Sequence, residues 1–561
     1  MDIAGQKPRI ECLMKALSNI PEAHYPFWLI LLWAVLTLPS LGLAPLFDYD
    51  ETIYAQTALD MMRHGEWIVP TANGMQFFEK PPFTYYLMDL SFTLFGENAF
   101  AARLPSAIFT LFTVLLLFRF GNRIHSASFG LSAALIFMTM LETGLLAHAA
   151  ILDAVLNFFI AACLLYYFLW RQFGEHRHAL ITAAMMGAAV SIKGPVGVVV
   201  PVLIIMVDRL LARDLFATFR DIPWLPCIAL FLLTATPWYL MILFLHGPAF
   251  LYEFIVVQNI GRAMNPMQGH GGGWHYYIVV FIASVLPWLA WFLWSCKQTW
   301  RQRDSNDTLI TIARLGLIWT FTVIVLFTFA QTKLPHYISA IYPGTALVIA
   351  AALFHFGNRE YVSKSIYWSS ALLLLPVALL LTFLPALYPQ LIEFVQHPRA
   401  IAIVMQDIQP PEWISYPGAL LLVTVLWLGW QARRPSGGHI LRFALVGMML
   451  QSAMLIGIGT FAGNLVQAPT MKIAERVKLL PEDMPIYSFN LNAPSVSFYS
   501  QRSYQIILGD GKELKALNTP YAVIMRSEAY QSLPYLQGYL PAIEQGGYLL
   551  YIISPDSKRR L

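Results

Sequence analysis

Long uncharged runs alternate with short polar segments along almost the whole chain. The first, "FWLILLWAVLTLPSLGLAPLF", ends at Phe47. A helix of about 20 apolar residues crosses the hydrocarbon core of a bilayer. By that measure thirteen spans are predicted, near 26–46, 99–118, 127–147, 154–170, 179–193, 195–207, 222–245, 276–296, 308–330, 337–355, 366–388, 414–431 and 441–462. The fifth and sixth are short and also read as one re-entrant pair. The pattern then changes. After residue 463, "DMPIYSF", "RSYQIIL", "TPYAVIM" and "GYLLYIIS" read as short strands between helix-like and turn-rich pieces. The expected architecture is a polytopic α-helical membrane protein with a small C-terminal α/β domain. Its membrane part covers 1–462, with large loops at 47–98 and 246–275, and its soluble part 463–561.

Directly after the first run comes "DYDETIYAQ", with three carboxylates, Asp48, Asp50 and Glu51. Ile53, Thr57 and Met61, with Tyr54, Ala58 and Met62, then recur at helical spacing, and Gly65 ends the pattern. This predicts an amphipathic helix lying on the membrane surface. Asp48 would cap it, Glu51 would complete a capping box, and Asp50 would stand at the positive end of the helix dipole. A cap needs one aspartate, so Asp50 is free for chemistry.

Composition fits this pattern. Hydrophobic residues make up 57% of the 561 and charged residues 12%, with mean hydropathy +0.58. Soluble domains carry about twice that share of charge. Cys12, Cys163, Cys227 and Cys296 lie in the N-terminal tail or in predicted spans, so no disulfide framework is expected. Lys and Arg collect in alternate loops, at Arg119/Arg123, Arg171/Arg177, Arg209/Arg213/Arg220, Lys297/Arg301/Arg303, Arg359/Lys364 and Arg433/Arg434/Arg442. The positive-inside rule makes those loops and the N-terminus cytoplasmic and places the C-terminal domain outside, in the periplasm.

The remaining ionisable groups gather at that outer face: Glu79 and Lys80 in "FFEKPPFTYY", Asp153 in "HAAILDAV", Lys193 in "SIKGPVG", and Lys333 and His336 in "QTKLPHY". Arg262, His270 and His275 lie in the 246–275 loop. The span centres are almost free of charge, which argues against a transporter holding its substrate at the midplane. Cations at the outer interface suit a lipid phosphate leaving group. A carboxylate there can take an acceptor's proton or orient it.

Asp48 to Ala107 resembles the bacterial aminoarabinose transferases and their protein mannosyltransferase-like relatives, GT-C glycosyltransferases that use polyprenyl-phosphate sugars. The matching elements are "DE" followed by "YA", "G.W.VP..NG", "FEKPP..YY", "LFGEN.F..RLPSA", "ILDA", "KGP.G" and "KLPHYI.A.YP". The resemblance implies a GT-C fold and an inverting transfer from an undecaprenyl phosphate donor to an envelope acceptor at the bacterial inner membrane. Within the family, 4-amino-4-deoxy-L-arabinose onto lipid A is the first expectation. It implies that Asp50 and Asp153 are the catalytic acidic positions, and that Lys80, Arg262 and Lys333 bind the donor phosphate. Tyr54, Tyr85, Tyr86 and His336 would line the cavity. Glu79 and His270 would be ligands of a divalent ion, zinc or magnesium. The chain departs from the family's "DETRYAE" at Ile53 and Gln56, and has Asn259 where relatives often carry His.

Another sugar or acceptor is the alternative within this class. Outside it stand a lipid-linked substrate flippase and a scaffold whose outer domain recruits partners. Besides the donor and acceptor, the lipid bilayer is the expected partner, and no nucleic acid is.

Overall fold

The computed structural model describes residues 21–261, 264, 271–356, 364–406, 408–433 and 438–554. Among them, eight helices are long and apolar enough to cross a membrane, and three pairs bent by more than 40° raise the number to eleven. The thirteen predicted spans exceed this by two, and the two are the fifth and sixth. They form helices His176–Lys193 and Val196–Ala212, of 18 and 17 residues, which meet at Gly194 and Pro195. His176 to His178 open the first and Asp208 and Arg209 close the second, so neither offers a full apolar length. The predicted span 222–245 is likewise broken, into Trp224–Ala235 and Pro237–His246.

The helices share one apolar core that includes the fully buried Trp288, Trp291 and Trp319. The last helix does not stop at the predicted domain boundary of 463. His439–Ser452 continues through a π-helical stretch into Thr460–Lys478. Its final turns bury Ile473, Ala474 and Val477 against Ile486, Val496, Ile524 and Leu550 of the C-terminal domain. One helix thus belongs to both parts.

That domain is a five-stranded mixed sheet. In spatial order it runs Gln505–Ile507, Ile486–Phe489, Tyr521–Arg526, Tyr548–Ile553 and Ile543–Gln545. The first three strands are parallel and the last two antiparallel, with Tyr487 opposite Val523 and Val523 opposite Tyr551. The four strands expected from sequence are present. The fifth, Ile543–Gln545, is three residues long and too short for alternation to reveal.

Helix Asp50–His64 forms as expected, and Gly65 ends it in the left-handed conformation at φ 68°. It is not a helix resting on a membrane surface, however. Residues Ala55 to Met61 are all buried, because the C-terminal domain covers one side and helix Phe83–Phe95 packs on another. A two-stranded hairpin, Thr71–Ala72 and Met75–Gln76, turns on Asn73 and Gly74, both at positive φ. The Asn73 N–H donates to Asp60 at 2.6 Å, pinning the turn to the helix.

Asp89, on helix Phe83–Phe95, is 2% exposed, and among the described residues neither carboxylate oxygen has a hydrogen-bond partner. Burial pushes its pKa up to about 7. A carboxyl raised above its unfolded value favours the folded state while protonated, and that contribution is lost as pH rises through about 7. Asp89→Asn is therefore expected to stabilise the protein by about 1–3 kcal/mol at pH 8. The gain should shrink by pH 5, as thermal unfolding at the two pH values will show.

Candidate functional site

The site is built from helix ends. Asp153 opens helix Asp153–Phe173 and Lys193 closes helix His176–Lys193, which places carboxylate and ammonium 2.7 Å apart. His336, in the short helix Pro335–Ile341, brings Nε2 to 3.9 Å from the other Asp153 oxygen. Tyr337 presents its ring 5.0 Å from the Lys193 ammonium. Lys80, 9% exposed, feels the same Asp153 charge and donates to its neighbour's carbonyl, Glu79 O, at 3.0 Å.

Lys80, Asp153, Lys193 and Tyr337 line a cavity of about 140 Å³; His336, expected in the lining, is not among its lining residues. Lys80, Asp153 and Lys193 supply its charge; Asn157, Gln258, Asn259 and Thr332 add polar groups, and Leu156, Ile160, Val196, Val200 and Phe327 an apolar wall. Two lysines beside an apolar wall suit a phosphate on a long hydrocarbon tail.

Asp50 is exposed at the first position of its helix, and among the described residues its carboxylate has no hydrogen-bond or ion-pair partner. It stands near Tyr54. Neither Asp50 nor Tyr54 nor Tyr85, both tyrosines expected in the lining, is among the residues that line the cavity. Burial pushes the Tyr54 phenol well above its ordinary range, and Tyr85, Glu79, Asp50 and Asp153 add to the effect, so all stand within electrostatic reach of it. Tyr54 and Tyr85 have ring centroids 6.2 Å apart, and the buried Tyr85 hydroxyl has no partner among the described residues.

Other expected residues go elsewhere. Tyr86 turns away to donate to Trp67 O and packs against the Trp67 ring, so it does not join Tyr54 and Tyr85. Lys333 folds back onto the end of helix Thr308–Phe329, donating to Thr328 O at 2.8 Å and Ala330 O at 2.5 Å. Unpaired C-terminal carbonyls attract a cation, while its neighbours Ala330 and Thr332 face the cavity. Arg262 and His270 lie outside the described residues. Among those described, no three His, Cys, Asp or Glu side chains converge to hold an ion. Glu79 thus has no described ligand set around it, and no step below runs through a metal.

The capping box is also replaced. Tyr49 occupies the N-cap position, and its side chain makes no capping bond to the helix. Glu51 does reach back to the Phe47 N–H at 2.9 Å, but it also takes Arg103 Nε at 2.8 Å, Arg103 Nη2 at 2.7 Å and the Ala150 N–H at 2.7 Å. Arg103 spends its remaining donors on the carbonyls of Leu41, Ala44 and Pro45. A buried guanidinium needs such a fork of acceptors, and it claims Glu51. The result ties the start of the Asp50 helix to the turn three residues before Asp153.

The departures find reasons too. Gln56 donates to Asp60 at 2.7 Å, where a glutamate would set two buried carboxylates together. Ile53, 3% exposed, packs in an apolar cluster with Leu46 and Phe498. Asn259 puts an amide at the cavity wall and donates to Phe254 O. Lys193 and Asn157 are site residues that the sequence assigns no role. Lys193 stood out only as an ionisable group in "KGP.G", and Asn157, four residues after Asp153 on one helix face, carried the one available signal.

A family model described as dolichyl-phosphate-mannose-protein mannosyltransferase matches residues 79–241. An undecaprenyl phosphate-alpha-4-amino-4-deoxy-L-arabinose arabinosyl transferase of Serratia proteamaculans is 30% identical over 346 residues, 60% of each chain. The chain thus spans about 60% of the length of the curated arabinosyl transferases it matches. An uncharacterized protein of Aquifex aeolicus is 30% identical over 65% of this chain and 78% of its own. The crystal structure of ArnT from Cupriavidus metallidurans bound to undecaprenyl phosphate superposes with a TM-score of 0.78, covering 94% of this chain and 97% of that one at 19% identity. That match establishes the shared fold.

Proposed function

The chain belongs to the GT-C family of the bacterial aminoarabinose transferases and their protein mannosyltransferase-like relatives, and from that membership we propose that it moves a sugar from undecaprenyl phosphate to an envelope acceptor. The sugar proposed is 4-amino-4-deoxy-L-arabinose and the acceptor lipid A. The observation that carries the reading is the cavity, where Lys80 and the Asp153-held Lys193 stand beside an apolar wall.

Transfer is inverting. An acceptor oxygen bonds to the anomeric carbon from the face opposite the phosphate, and the sugar–oxygen bond to undecaprenyl phosphate breaks. Lys80 and Lys193 stabilise the charge left on that phosphate. Asp50 takes the acceptor's proton or orients its oxygen. Asp153 fixes the Lys193 ammonium at the cavity wall, with His336 on its second oxygen. Tyr54 and Tyr85 form the aromatic shelf beside Asp50. Arg262 completes the proposed phosphate set.

The loop charges support an orientation in the inner membrane with the N-terminus in the cytoplasm. The site and the C-terminal domain then face the periplasm. The test is transfer by the purified protein in detergent, using undecaprenyl-phosphate-linked aminoarabinose and lipid A. Release of undecaprenyl phosphate that requires lipid A supports the reading; release with neither acceptor dependence nor product ends it. In the same assay Lys80→Met is expected to lower kcat/KM for the donor by about 10- to 100-fold, roughly 1.5–3 kcal/mol of charge-assisted bonding. An unchanged kcat/KM would remove Lys80 from the phosphate site.

A further inference from the structure

The C-terminal domain touches the catalytic segment at one defined place. Helix Pro494–Ser500 packs on helix Asp50–His64. Phe498 enters the apolar cluster of Ile53, Leu59, Tyr85 and Phe92, with its ring centroid 6.1 Å from that of Phe92. Around this plug run polar contacts. The Tyr499 hydroxyl accepts the Leu46 N–H at 2.8 Å, Ser497 donates to Asn73 Oδ1, and Gln501 donates to Glu97 at 3.1 Å. The innermost is Asp48, two residues before Asp50. Its carboxylate accepts the Ser495 N–H at 2.9 Å, the Ser495 hydroxyl and the Thr52 hydroxyl. Ser495 is fully buried.

Asp50 is therefore bracketed. One residue after it, Glu51 is bonded to Arg103 and Ala150 of the membrane part. Two residues before it, Asp48 is bonded to the C-terminal domain. With the Glu51 anchor alone, the backbone can pivot and swing the exposed Asp50 side chain. Two anchors on opposite sides fix the backbone from which it projects. A scaffold that merely recruits partners has no need of a serine from the far end of the chain at this point.

We propose that the C-terminal domain is a positioning element of the active site, in which Ser495 grips Asp48 and so aims Asp50 at the acceptor. This rests on the transferase reading above. The domain contributes no lining residue to the cavity that holds Lys80 and Lys193, so its contact governs turnover and leaves donor binding alone.

The experiment uses the full-length protein in detergent with undecaprenyl-phosphate-linked aminoarabinose and lipid A, comparing the parent with Asp48→Asn, Ser495→Ala, the double variant and Asp50→Asn. Misplacing a catalytic group by about 1 Å costs on the order of 100-fold. Asp48→Asn and Ser495→Ala are each expected to lower kcat by about 10- to 100-fold with KM for the donor unchanged. The double variant should be no worse than the weaker single one, since both remove one contact. Unfolding temperature, measured alongside, separates positioning from folding. Ser495→Ala removes only a hydroxyl and keeps the test open if Asp48→Asn fails to fold. Parent-like kcat in Ser495→Ala and Asp48→Asn, or a loss that follows the folded fraction, overturns the positioning role. If Asp50→Asn is inactive at the same time, the transferase site stands without it. Parent-like turnover in Asp50→Asn removes the transferase site itself.

Discussion

Asp50→Asn is expected to lower transfer by about 100- to 10,000-fold, the range typical of a lost general base. The side chain keeps its shape, and no bond to a described residue is lost, because the Asp50 carboxylate has no partner among the described residues. The unfolding temperature should therefore match the parent's. KM for the donor should also hold, since Lys80 and Lys193 are untouched. This combination sets Asp50 apart from its neighbours. Asp48 and Glu51 are carboxylates of the same short stretch, yet each holds three or more hydrogen bonds. Initial rates at saturating donor, with thermal unfolding in parallel, check the prediction. Activity within a few-fold of the parent would move the base elsewhere.

The second large effect falls on stability. Arg103 and Glu51 form a buried pair, with side chains 4% and 7% exposed. Removing one partner of such a pair leaves an uncompensated charge and costs about 3–5 kcal/mol. Arg103→Met strands the Glu51 charge and the carbonyls of Leu41, Ala44 and Pro45. Arg103→Lys keeps the charge but loses the fork, so it should fall between parent and Arg103→Met. Unfolding in detergent should rank the three in that order, with activity lost alongside. An Arg103→Met protein as stable as the parent would contradict the account of this network.

Much of this was legible in the sequence, for reasons that differ by element. The spans follow from length and polarity alone, and the broken pair at Gly194 was visible as two short runs. The C-terminal strands follow from apolar runs bounded by turns. Asp153 and Lys80 lie together in the cavity as the family resemblance implies. What the sequence hid were contacts across long stretches of chain. Nothing near Asp48 announces Ser495, 447 residues away, and so the aspartate read as a local cap. Glu51 read as half of a capping box because Arg103 sits 52 residues on. Lys193 showed only as a charge near a span end, where lysines often snorkel. Its pairing with Asp153 depends on two helix ends meeting. Lys333 passed for a phosphate ligand because no pattern reveals that it turns back to cap its own preceding helix.

The measurement that tests the central claim most directly is mass spectrometry of lipid A. The samples are cells lacking the protein, cells making the parent, and cells making Asp50→Asn at equal protein level. The account predicts a lipid A species heavier by one aminoarabinose residue with the parent, absent from the other two. Lipid A identical in all three, with no mass change on any other envelope glycolipid, would contradict it.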